Sequence, residues 1–66
     1  MNDKYLARAM EKIPDKRALS LLASRRARQL VRGARPLIKN EEDDYLNLAL
    51  LEISEGLLDY ELPVEE

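Results

Sequence analysis

The sequence predicts an all-α fold, a compact unit of three main helices followed by an extended acidic tail at the carboxy terminus. Three observations predict it. Apolar residues recur at helical spacing in three windows, Pro14 and Gly33 interrupt the chain outside those windows, and no segment alternates apolar and polar residues over the length of a strand. A length of 66 residues allows one domain. We take residues 1–58 as the helical domain and 59–66 as the tail.

The first helix is expected over residues 3–13. Tyr5, Leu6, Ala9, Met10 and Ile13 share one face at helical spacing, and Lys4, Arg8 and Lys12 form the opposite, solvated stripe. Pro14 disfavours helical geometry at the residue before it and so ends the helix. Asp15 is placed to cap a second helix over 16–32, and Gly33 to stop it in left-handed geometry. At about 100° per residue, Leu19, Leu22, Ala23, Ala27 and Leu30 fall on one side of it, with Arg17, Arg25, Arg28 and Arg32 roughly opposite. Residues 33–44 read as a loop in which Leu37-Ile38 forms a short apolar clip over the edge of the core. Asn40 or Asp44 caps the third helix, expected over 45–58, and the acids Glu41 to Asp44 suit the positive end of its dipole. Its inner stripe is Leu46, Ala49, Leu50, Ile53 and Leu57. Gly56 weakens the last turn, and the tail from Asp59, with Pro63 and terminal acids, is expected to be extended or disordered.

A domain this small buries only about 60% of its unfolded surface and needs help from disulfides, a metal or association. The chain has no Cys and no His, which excludes disulfides and Cys/His zinc sites and leaves association. No apolar run approaches the roughly 18 residues of a membrane span. The start, Met1-Asn2-Asp3-Lys4, is unlike a secretory signal, so a cytoplasmic chain is expected. The net charge of −2 hides a lopsided distribution: eight basic residues and no acid over 16–39, ten acids and no base over 40–66. Such asymmetry points to nucleic acid or to pairing of the two halves. The near cancellation favours pairing, with a partner reading the remainder.

Independent catalysis is not expected. The hydroxyl groups are those of three Tyr and three Ser, none in a nucleophile motif. The run Glu41-Glu42-Asp43-Asp44 lacks the alternating ligands and central Gly of a calcium loop, so neither a metal nor a cofactor is expected. The stripe of Arg17, Arg25, Arg28 and Arg32 has the charge of a nucleic-acid footprint. It lacks a base-stacking aromatic and sits in an acidic chain, so a solvated face or contacts to a protein's acids are the better reading. Arg26 falls within the apolar arc of its helix, where a charge must be paired or snorkel to water. Two readings stand side by side: an ion pair with an acid of the third helix or tail, and a guanidinium reaching a partner. Leu48 and Leu51 lie away from the inner stripe, beside Glu52 and Glu55. They leave the third helix apolar on two sides, as a helix covered on both sides would be. We read them as a partner-facing patch.

Four groups of residues carry a resemblance, from Glu11 to Leu58. They are Glu11-Lys12-Ile13; Leu22-Ala23 through Leu30 with Arg25-Arg26-Ala27-Arg28-Gln29; Gly33 with Pro36-Leu37-Ile38; and Ala49-Leu50, Glu52-Ile53, Glu55-Gly56-Leu57. In that order and spacing they resemble the omega subunits of bacterial DNA-directed RNA polymerase. The resemblance implies a non-catalytic accessory subunit that clamps the carboxy-terminal region of the beta-prime subunit. It also implies help with beta-prime folding and assembly in a complex with alpha, beta and sigma subunits, with nucleic acid met only through the complex. Neither a homo-oligomer nor a membrane partner is implied. Arg25, Arg26, Arg28, Leu48, Leu51, Glu52 and Glu55 are the expected partner-binding residues. Many relatives have a basic amino terminus that helps form an alarmone site, whereas this chain reads Met1-Asn2-Asp3. Many also carry a basic residue where this chain has Leu51, which implies a more apolar contact. The alternatives are a small nucleic-acid-binding helical module using the basic helix face, and a helical antitoxin or adaptor.

Overall fold

The computed structural model describes residues 2–39, 42 and 44–58. It contains three helices: α1 (Asp3–Lys12), α2 (Lys16–Val31) and α3 (Tyr45–Ser54). The all-α reading holds, and among the described residues there is no strand. The tail from Asp59 onwards and the candidate cap Asn40 lie outside the described residues.

Each helix starts on a side-chain cap that takes up backbone N–H groups its first turn leaves orphaned. The Asp15 carboxylate accepts from the N–H groups of Arg17 (3.0 Å) and Ala18 (3.2 Å), as expected. Asp44, of the two candidates, caps α3 by accepting from Leu46 N–H at 2.9 Å. The cap of α1 is Asn2, which the sequence reading did not assign. Its Oδ1 accepts from Lys4 N–H at 2.9 Å and Tyr5 N–H at 3.3 Å. Its own N–H donates to Asn47 Oδ1 at 2.9 Å, pinning the start of α1 to α3.

Both long helices after Pro14 stop in the same way. Gly33 (φ +105°) closes α2 with Ala34 N–H donating to Gln29 O at 2.9 Å and Gly33 N–H to Leu30 O at 3.0 Å. Gly56 (φ +75°) closes α3 with Leu57 N–H donating to Glu52 O at 3.1 Å and Gly56 N–H to Ile53 O at 2.9 Å. These are Schellman stops, which need a residue tolerant of left-handed geometry. The expectation that α3 runs to residue 58 is therefore corrected. Gly56 terminates the helix rather than weakening its last turn, and Leu57 lies exposed beyond the end.

The central element is α3. It packs along both α1 and α2, which touch each other little. The Asn2–Asn47 bond joins the starts of α1 and α3, and a cleft walled by Ile13, Ala18, Gly56 and Leu58 joins their ends to the start of α2. So α3 runs with α1 and against α2. The core is Ala9, Ile13, Ala18, Leu19, Ala23, Ala49, Leu50 and Ile53, with Tyr5, Leu6, Met10, Leu22, Leu46 and Leu58 packed around it. Four alanines in that set let the helix backbones approach closely. The central placement also corrects the reading of Leu48 and Leu51 as an open face. They are only 4% and 7% exposed, because the chain itself covers both flanks of α3.

Candidate functional site

Two of the four segments that carry the resemblance meet at one point. Arg26, in the middle of α2, is 9% exposed and Glu52, in the last half of α3, is fully buried. Arg26 Nε donates to Glu52 Oε1 at 2.6 Å and Nη2 to Glu52 Oε2 at 3.3 Å, a two-pronged guanidinium–carboxylate pair. Further hydrogen bonds surround the pair. Arg26 Nη1 donates to Gln29 Oε1 at 3.1 Å, Arg26 Nη2 to the Arg35 carbonyl at 3.0 Å, and Leu37 N–H to Glu52 Oε2 at 2.9 Å.

The chemistry explains the arrangement. A charge inside an apolar interface persists only when paired and hydrogen-bonded, and here every buried side-chain polar atom among the described residues has a partner. The node also ties three pieces of backbone together: α2, the 33–38 turn and α3. Of the two readings kept open for Arg26, the structure shows the internal ion pair. Glu52, expected to face a partner, is turned inward as its counter-charge. The apolar clip is corrected as well. Leu37 is exposed and its backbone makes the tie, while Ile38 is half-buried.

The remaining expected residues lie outside this node. Arg25, Arg28 and Glu55 are exposed, as are Arg17 and Arg32. Arg25, Arg28, Gln29 and Arg32 line a shallow depression of about 290 Å³ on the outer side of α2. Pairing of the two halves thus consumes Arg26 and Glu52 and leaves the outer arginines in solvent. Among the described residues, the reading that pairing neutralises the halves holds for that one pair. Sequence reasoning missed Gln29, Asn2 and Asn47. Gln29 could have been found, since it stands three residues from Arg26 on a helix and can reach its side chain. The Arg35 carbonyl and Leu37 N–H carry no side-chain signal.

Among the described residues, no group of three or more acids could hold a metal ion. No helix is long and apolar enough to cross a membrane.

Fold and site together define a small all-α module, organised by one buried ion pair and displaying an arginine face. The family model described as RNA polymerase Rpb6 matches residues 8–60. The DNA-directed RNA polymerase subunit omega of Caldanaerobacter subterraneus is 41% identical over 54 residues, covering 82% of this chain and 77% of that one. The subunit omega of Clostridium botulinum strain Alaska E43 is 38% identical over 52 residues, covering 79% of each chain. That of C. botulinum strain Hall is 34% identical over 60 residues, covering 91% of this chain and 83% of its own. No solved structure matches significantly. The chain belongs to the RNA polymerase Rpb6 family and within it resembles the bacterial omega subunits, as the sequence motifs indicated.

Proposed function

We propose that this chain is the omega-type accessory subunit of a bacterial DNA-directed RNA polymerase. It supplies no catalytic residue. It grips the carboxy-terminal region of the beta-prime subunit and promotes that subunit's folding and its assembly with alpha and beta. The supporting observation is that the family match spans residues 8–60, from the second half of α1 through all of α2 and α3, including both segments of the Arg26–Glu52 node. The exposed residues around that node, Arg25, Arg28 and Glu55, make the contacts. Arg26, Glu52, Leu48 and Leu51 act from within by holding α2, the turn and α3 in the geometry that presents them. A subunit of this kind works as a ligand for the folded state of its partner and stabilises it by mass action.

The test is co-purification of the tagged chain with a co-expressed cognate beta-prime subunit in the presence of nuclease. Stoichiometric, nuclease-resistant recovery is expected. Loss of beta-prime with retention of nucleic acid would discard the reading.

A further inference from the structure

Among the described residues, no acid pairs with the outer face of α2. Arg25, Arg28 and Arg32 stand within about 11 Å along the helix axis, at 1.5 Å per residue. Arg17 and Leu21 continue the same stripe toward the amino end. All five are exposed, Leu21 to 55%, and none of the four arginines is ion-paired among the described residues. That span is close to the Debye length of about 8–10 Å at ordinary ionic strength, so the three guanidinium groups act on a nearby anion together.

We propose that this face docks a carboxylate-rich segment of a protein partner. Which protein supplies the segment rests on the clamp reading, and the proposal deepens that reading by naming the segment's chemistry. Three features select a protein over nucleic acid. There is no aromatic residue anywhere on α2, so the face offers no platform for stacking bases, the usual source of single-strand affinity. The exposed Leu21 beside the arginines suits an apolar side chain of a polypeptide. The chain as a whole is acidic, with ten acids after residue 39, so at a distance it repels a long polyanion. A short acidic segment meets only the local arginine field. The depression between Arg25, Arg28, Gln29 and Arg32 gives its carboxylates a place where planar guanidinium forks can bind them side-on, with the Gln29 amide beside them.

The experiment compares the full chain with an Arg25→Gln, Arg28→Gln, Arg32→Gln variant. A control carries Lys4→Gln, Arg8→Gln and Lys12→Gln, which remove the same charge from exposed positions of α1. Binding of a labelled glutamate-rich peptide and of a labelled oligothymidylate is read by fluorescence anisotropy at low salt, and retention of co-expressed beta-prime is read alongside. The α2 variant should bind the peptide about tenfold more weakly, three exposed charge contacts of a few-fold each, while the control stays near wild type. Beta-prime retention should fall with it. A wild-type chain that ignores the peptide, or an α2 variant that binds it equally well, overturns the proposal. So does stronger binding of the oligothymidylate that disappears in the α2 variant, which would make the face a nucleic-acid surface. If the peptide behaves as expected but beta-prime is never retained, the clamp reading fails and the chemistry of the face stands.

Discussion

Glu52→Ala is the most informative single change, because it removes one half of the buried pair and leaves the other. In the wild type, Glu52 accepts two bonds from Arg26 and one from Leu37 N–H. Its loss strands the Arg26 guanidinium, 9% exposed, with only Gln29 and the Arg35 carbonyl as partners. Breaking one side of a buried ion pair costs about 3–5 kcal/mol, and the orphaned Leu37 N–H falls within that range of effects. At about 0.05–0.15 kcal/mol per residue, the whole chain has only about 3–10 kcal/mol of stability. The loss is therefore about a third of the chain's stability at the least and all of it at the most, and the variant is expected to unfold at far lower urea than wild type. Urea titration followed by far-UV circular dichroism measures this. Glu52→Gln, which keeps an acceptor for Leu37 N–H but removes the charge, should lose less. Arg26→Met combined with Glu52→Leu should recover at least about 2 kcal/mol relative to the sum of the two single changes, because an apolar pair needs no counter-charge. A Glu52→Ala loss below about 1 kcal/mol, or a strictly additive double variant, would refute the reasoning.

Smaller effects follow from the stops, caps and core. Gly33→Ala and Gly56→Ala place a Cβ in open space but at φ +105° and +75°, so each should cost about 1–2 kcal/mol of conformational strain in thermal or urea melts. Asn2→Ala removes the α1 cap and should cost about 1 kcal/mol, with helicity lost first at the amino end by hydrogen exchange. Leu50→Ala empties a fully buried position and should cost about 2–5 kcal/mol, whereas Leu21→Ala, out in solvent, should stay within about 0.5 kcal/mol.

What could be read ahead of the structure follows a physical division. Periodicity and punctuation are local, so the three helices, the Asp15 cap, the Gly33 stop and the core positions Ala9, Leu19, Ala23, Leu30, Leu50 and Ile53 were legible. The end of α3 was not, because a Gly two residues past Ser54 reads equally as a weak turn or as a stop until the following hydrogen bonds are seen. Leu48 and Leu51 were misplaced for a different reason. A wheel drawn for one helix shows which sides are apolar, and only the tertiary arrangement shows that α1 and α2 cover both. Arg26 was flagged as anomalous by its position in an apolar arc. Its partner could be narrowed to an acid of α3 or the tail, but choosing Glu52 required the antiparallel register of α2 and α3. The ties to Arg35 and Leu37 run through backbone atoms, which every residue has.

The node and the arginine face predict different kinds of failure in partner binding, and that difference separates positioning from contact. If Arg26 and Glu52 only hold the fold, a variant with folded fraction f binds with an apparent Kd equal to the intrinsic Kd divided by f. A Glu52→Gln chain that is half folded then loses only about twofold in affinity. Partner at 100 times Kd returns about 2.7 kcal/mol, enough to refold most of it. Arg25→Gln, Arg28→Gln, Arg32→Gln should do the opposite, leaving the urea midpoint near wild type while affinity drops about tenfold. Measuring both quantities on both variants with beta-prime as partner makes the distinction quantitative. A Glu52→Gln loss of affinity far beyond what its folded fraction accounts for would mean that the buried pair itself opens to meet the partner, and the positioning role would have to be given up.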